Sequence, residues 1–268
     1  MSIIRVFLSS AIFSFKAQFG WLYPPMWLTM KLVMSLSQMA FFVFVAQFLI
    51  TTGHSAGPDL VAYIAVGNAM SVLSWNTVFS VINITSHDKW DGTLQLVLAT
   101  PANRLPLFVG RAMLHVFDGM ISVIIGLAYA ALLFGVNFGN ANILLLFAVV
   151  FLTAVAMAGF RLLIGGLSFY YRDPLVFANI FTFILLIFCG VNFPVQELPQ
   201  LLQPISYIFP LTYGVEAGRK TVAGASLAEI APLIGQMMIV GITSIVLGYF
   251  FFTTFERLAR KTGSLESV

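Results

Sequence analysis

Six apolar runs, at about 27–51, 59–84, 107–135, 142–168, 174–192 and 228–252, take up most of this chain. A bilayer core of roughly 30 Å accepts about 20 apolar residues per helical crossing. Backbone groups in hydrocarbon have no water to bond to, so a lone run of this length closes its hydrogen bonds as a helix. Composition agrees: 60% of the 268 residues are hydrophobic, only 9% are charged, and mean hydropathy is +0.98. A soluble domain of this size carries far more charge. The expected fold is an all-α integral membrane protein with about six transmembrane helices. No separate soluble domain, low-complexity tract or internal repeat is evident, and the missing repeat argues against carriers built from paired halves.

The breaks between runs have physical causes. GHSAGPD (53–59) and GVNFGNAN (135–142) are polar turns rich in Gly and Asn. YYRDP (170–174) sets adjacent opposite charges before a proline, which cannot continue a helix from the preceding turn. Before the first run, Ile4, Leu8, Ala11, Phe15 and Phe19 share one helical face, while Arg5, Ser9 and Lys16 fall on another. That pattern predicts an interfacial amphipathic helix over residues 1–25, retained rather than cleaved, which Tyr23-Pro24-Pro25 stops. With the N-terminus inside, eleven of the thirteen basic residues, Lys31 among them, fall on the inner side, and only Arg219 and Lys220 lie outside. Both termini, including a tail at 255–268, are then cytoplasmic. Arg161, near the inner end of the fourth run, is expected to snorkel toward the headgroups.

Several functions are excluded by what is missing. The chain has no phosphate-binding Gly-rich loop, no Gly-Lys pair and no Gly-x-Ser-x-Gly elbow. His54, His87 and His115 lie in different segments, so no metal site is expected. The one cysteine, Cys189, sits within an apolar run and reads as a buried small residue. A net charge of +3 is too dispersed for a nucleic-acid surface. An enzyme is poorly supported; a transporter of this composition draws energy from an ion pathway or from another subunit.

Four groups of residues carry functional candidates. Over Ser86–Ala99, Trp90, Leu94, Val97 and Leu98 form an apolar stripe beside Asp91 and Gly92, with Thr85 or Ser86 as a cap and Thr100-Pro101 as a stop. This surface helix, 86–101, either docks on a soluble motor or rests on headgroups. The second run holds Asn68, Ser71, Trp75, Asn76, Ser80 and Asn83, which could line a translocation path or hydrogen-bond across a helix interface. Phe177 and Phe181 extend this candidate path into an aromatic fifth run suited to apolar cargo. In the third run Arg111, His115, Asp118 and Ser122 share a stripe, and Asp118 lies about 16 Å in from the start of that run. A carboxylate there must be neutral or paired, with His115, Arg111 or a neighbouring helix. The segment 192–224 is broken by Pro194, Pro199, Pro204 and Pro210, yet it is too apolar for a free loop. A re-entrant helical hairpin in the outer leaflet fits both facts and forms either an exit lid or a rigid cap. Glu216 with Arg219 and Lys220 stands at helical ion-pair spacing on its surface.

DGTLQLVLATP (91–101) resembles the Gly-Thr, Leu, Thr-Pro pattern of ABC-2-type exporter permeases. LSFYYRDP (167–174) is similar to the family's Arg-Asp turn, and 192–219 to its Pro-rich outer segment with a closing Glu and Arg. FERLARKTGSL (255–265) resembles the endings of its drug- and antibiotic-exporter branch. Two positions depart: Asp91 stands where Glu is usual, and Phe209 where Asn often precedes Pro-Leu-Thr. The resemblance implies a six-span permease in a bacterial or archaeal plasma membrane that dimerises with a second permease chain, with a homodimer expected before a heterodimer. It implies cytoplasmic ATPase subunits that carry ATP and Mg, no cofactor on this chain, and contacts to the ATPase from the 86–101 helix, Arg172 and Asp173. The implied cargo is drug- or lipid-like. A polysaccharide exporter of the same family, and a proton-coupled carrier using Asp118 and His115, stay open as alternatives.

Overall fold

A computed structural model describes residues 5–12, 24–53, 59–90, 104–170 and 174–262. Among them there is helix and no strand. Residues 5–12 form α1. It is followed by α2 (Pro24–Thr51), α3 (Asp59–Trp90), α4 (Arg104–Leu132), α5 (Ile143–Ala156), α6 (Ala158–Tyr170) and α7 (Pro174–Phe188). A 3₁₀ turn (Val195–Glu197), α8 (Gln203–Ser206), α9 (Pro210–Val222) and α10 (Leu227–Thr262) complete the order. Among the described residues, four segments are long and apolar enough to cross a membrane: Pro25–Thr51, His115–Leu132, Ile143–Gly166 and Leu227–Phe255. Leu60–Asn76 and Leu175–Phe188 are shorter apolar helices.

Local chemistry explains the ends. Asn142 caps α5 by accepting a hydrogen bond from the Leu145 amide at 3.1 Å. Ser226 and Glu229 form half of a capping box at the start of α10, where Glu229 Oε1 accepts from the Ser226 amide at 3.3 Å and from its hydroxyl at 2.7 Å. Pro210 opens α9 at a position where its missing N–H costs nothing. Met157 alone separates α5 from α6, and the ladder almost closes across it: its N–H reaches the Thr153 carbonyl and Arg161 N–H reaches its own carbonyl. The fourth apolar run therefore behaves as one broken rod.

Two long pairings organise the bundle, α3 along α4 and α6 along α10. A buried core of Val, Ala, Met and Leu runs through α3, α4, α5 and α9. One end, called proximal here, holds the starts of α2 and α4 and the finish of α10. The distal end holds the start of α3, the 133–142 turn and residues 189–226. The α1 helix meets the proximal end, where Gly110 closes on the Phe7 carbonyl and Ser10. The apolar side chains Leu8 and Ile12 stay exposed, and residues 1–4 and 13–23 of the expected interfacial helix lie outside the described residues.

The α6/α10 contact is made by backbone. A Cβ on Gly159 would overlap the Ser244 and Ile245 main chain, and one on Gly248 would overlap the Gly159 carbonyl. Small residues let membrane helices approach this closely, where dispersion rather than water exclusion holds them together. Gly235, on the same α10, has nothing within 4 Å of a would-be Cβ. Gly159→Ala is therefore expected to lower the melting temperature in detergent and the folded yield, while Gly235→Ala leaves both unchanged or slightly raised. Equal melting temperatures for the two variants would remove the contact from the account.

Candidate functional site

The proximal site is an ion pair inside the bundle. Lys31 Nζ, on α2, donates to Asp118 Oδ2 on α4. It also donates to Asn76 Oδ1 on α3 at 3.3 Å and to Ser122 Oγ on α4 at 3.1 Å. Three acceptors thus use the three N–H groups of the ammonium. Ser122 in turn donates to the Asp118 carbonyl at 3.0 Å, and Asn76 Nδ2 to the Val72 carbonyl at 3.1 Å. The side chains of Lys31 and Asp118 keep only 18% and 11% of their exposure. The carboxylate is paired with a neighbouring helix, one of the partners its position requires. The partner itself was not visible in the sequence, where Lys31 reads as one more basic residue at the inner membrane face. Its signal was its depth, seven residues into an apolar helix that begins at Pro24. Arg161 departs from its expected snorkelling position as well, since it is 3% exposed and packed inside the bundle.

The distal site is a knot tied by Arg219. Its Nε donates to the Tyr63 carbonyl at 3.0 Å, Nη1 to the Gly190 carbonyl at 2.7 Å, and Nη2 to the Val191 carbonyl at 2.6 Å. The guanidinium lies over the Tyr63 ring, 3.4 Å from its centroid, and the Tyr63 hydroxyl donates to Gly190 at 3.2 Å. One side chain of α9 thereby joins the start of α3 to the turn after α7. Gly67 makes room for it, because a Cβ there would overlap both Val191 O and Arg219 Nη2. Burial pulls the guanidinium pKa down to about 10, which leaves it charged at neutral pH. The expected surface pairing is corrected accordingly. Glu216 bridges Lys220 at 3.1 Å, with both half exposed, and Arg219 turns inward to backbone oxygens instead. Cys189, beside this knot, is buried and free, as its apolar run predicts.

The candidate path residues separate by environment. Asn68 and Ser71 are buried at 1% and 2% exposure. Asn68 Nδ2 donates to Asn192 Oδ1 at 2.8 Å and Ser71 to the Asn68 carbonyl, so both bond within the protomer. Trp75 is 44% exposed and stacks on Phe79, while Asn76 belongs to the proximal cluster. Ser80, Asn83 and Arg111 are described by backbone alone. Phe181 packs with Phe160 and Phe209, at 5.6 and 5.9 Å between centroids, in an aromatic trio inside the bundle. Phe209, which stands where the resembled family often has Asn, thus fills an apolar niche. The outer segment, expected as two short helices, comprises a 3₁₀ turn and two α-helices of unequal length. Pro194 and Pro199 lie before α8, and Pro210 starts α9.

The surface-helix reading meets the structure only at its start. Ser86 to Trp90 continue α3 without a break, so neither Thr85 nor Ser86 is a helix cap. Asp91, Gly92, Leu94, Val97, Leu98, Arg172 and Asp173 lie outside the described residues.

The proximal pair predicts a particular mutational pattern. Asp118→Asn keeps the shape but strands the Lys31 charge, which should cost about 3 kcal/mol of stability. Lys31→Met combined with Asp118→Leu should recover most of that loss. Thermal unfolding of both variants in the same detergent checks this, and a single variant as stable as wild type would contradict the pairing.

Residues 21–223 match the ABC-2 type transporter family, a stretch that contains both sites and ends one residue beyond α9. Nodulation protein J of Neorhizobium galegae is 22% identical over 191 residues, which cover 69% of this chain and 70% of that protein. An Escherichia coli protein named probable multidrug ABC transporter permease YbhR is 24% identical over 147 residues, 53% of this chain. The chain spans 40% of the length of that second relative. With a family match over most of its length and an all-helical, apolar bundle beneath it, this chain belongs to the ABC-2 type transporter family of membrane permeases.

Proposed function

We propose that the chain is the permease half of an exporter: it moves a hydrophobic or amphiphilic molecule outward while a separate ATPase subunit hydrolyses ATP. The family match over residues 21–223 carries this reading, since ABC-2 permeases pair with an ATP-binding-cassette ATPase. In it ATP and Mg belong to the partner, and two identical permease chains stand side by side in a plasma membrane, each in contact with lipid. Six crossings arise from the four long spans together with Leu60–Asn76 and Leu175–Phe188. The antiparallel order then returns both termini to the cytoplasmic side.

Drug- or lipid-like cargo is supported by the 27 phenylalanines and by the name of one relative, a probable multidrug permease. A proton relay is less well supported. Asp118 is tied to Lys31, which also bonds Asn76 and Ser122, so the carboxylate already serves in a contact that joins three helices. The distal segment, with Pro194, Pro199 and Pro210 spacing its short helices, serves in this reading as the outer gate.

Coupling falls to Trp90 and the stretch beyond it, with Leu94, Val97 and Leu98 on one face and Arg172 and Asp173 as a second contact. Trp90→Ala and Leu94→Asp are expected to abolish ATP-driven transport and weaken ATPase co-purification while leaving the permease inserted and folded. Wild-type transport and complex yield in both variants would defeat the coupling assignment.

A further inference from the structure

A pocket of about 190 Å³ opens at the distal end, beside the Arg219 knot. Its mouth is formed by Pro194, Gln196 and Tyr207, all exposed. Its floor includes Cys189, Val195 and Thr212, which are buried. Arg219, Glu216 and the Tyr63 side chain complete the wall.

The charge in this wall is unevenly answered. Arg219 donates to three carbonyls through three of its five N–H groups, and among the described residues no carboxylate lies within ion-pair distance of it. Carbonyl dipoles hold the guanidinium in place, and Glu216 acts on its charge through space without a direct ion pair. A buried charge of this kind favours an anionic partner. Glu216, one turn back on the same helix, faces the same pocket with a carboxylate that meets Lys220 only through one half-exposed contact at Oε1. An anion alone would meet this carboxylate as well as the guanidinium. A cation alone would add to the Arg219 charge. A molecule with both signs, set a few ångströms apart, meets each wall residue with its complement.

We infer that this distal pocket binds a zwitterionic headgroup, its phosphate or carboxylate on Arg219 and its ammonium on Glu216. The cavity accommodates a group the size of phosphoethanolamine but not an acyl chain, so any chain attached to it leaves through the mouth between Pro194, Gln196 and Tyr207. Two sources share this chemistry: a lipid of the surrounding leaflet, and a free zwitterion in solution. The site rests on the export reading only for its significance at the exit; binding itself requires neither ATP nor a partner subunit.

The test uses the full-length permease in nanodiscs without ATPase. Free O-phosphoethanolamine is titrated against protein in phosphatidylglycerol discs, and thermal stability is compared between phosphatidylglycerol and phosphatidylethanolamine discs. Saturable binding of free phosphoethanolamine supports the site with a soluble source; stabilisation by phosphatidylethanolamine discs alone supports it with a lipid source. In either case Glu216→Gln, a half-exposed position whose change should leave the fold intact, is expected to weaken the effect about ten-fold, the worth of one charge-assisted contact. Arg219→Lys tests the anion end, and its melting temperature without ligand reports any damage to the knot. No effect of either zwitterion would overturn the proposal. So would inorganic phosphate matching phosphoethanolamine, or Glu216→Gln leaving the effect unchanged. Because none of these readouts involves transport, a negative result here leaves the ATP-driven export reading standing.

Discussion

A polar group inside hydrocarbon finds no water, so each one drawn into a membrane bundle must bring its partners with it. That requirement shapes both ends of this protein. Proximally, the Lys31 ammonium uses each of its N–H groups on Asp118, Asn76 and Ser122, and so fixes α2 against α3 and α4. Distally, Arg219 closes the open carbonyls at the end of α7 and the start of α3. The remaining packing is apolar and gains little from water exclusion in lipid. Those two polar knots, with the close backbone contact between Gly159 and Gly248, therefore decide which helix sits beside which.

The two knots differ in what they allow. An ammonium bound to a carboxylate on another helix is a pair that can separate, at a cost, if α2 moves relative to α4. Arg219 bonds three backbone oxygens and a ring face, contacts that release only when the turn after α7 itself rearranges. In the export reading, motion therefore enters at the proximal end, where the bundle is held by side chains, while the distal segment moves as a unit. The broken rod of α5 and α6 runs between them, with Met157 at its break and Thr153 bonding back to the Val149 carbonyl.

Much of this was legible in the sequence. Apolar run lengths predicted the helices, and the Gly- and Asn-rich stretch before Asn142 predicted the turn it closes. The intramembrane carboxylate at Asp118 announced that it needed a partner. Naming that partner was another matter, because periodicity orders residues on one helix and says nothing about the facing one. Lys31, read only for the side of the membrane it falls on, and Arg219, expected in a surface pair, both find their partners across helices distant in sequence. The 86–101 stretch shows a different limit. Thr85 and Ser86 are good capping residues, but capping propensity is weak beside the continuity of a long helix, and α3 runs through both to Trp90.

The central claim is that this permease moves its cargo on energy supplied by a partner ATPase. Co-reconstituting the chain with its ATP-binding subunit in sealed proteoliposomes, and following efflux of a fluorescent amphiphile, tests it directly. The account predicts transport that requires ATP and the ATPase, and that continues when the proton gradient is collapsed. Transport driven by a pH gradient in vesicles holding the permease alone would contradict it.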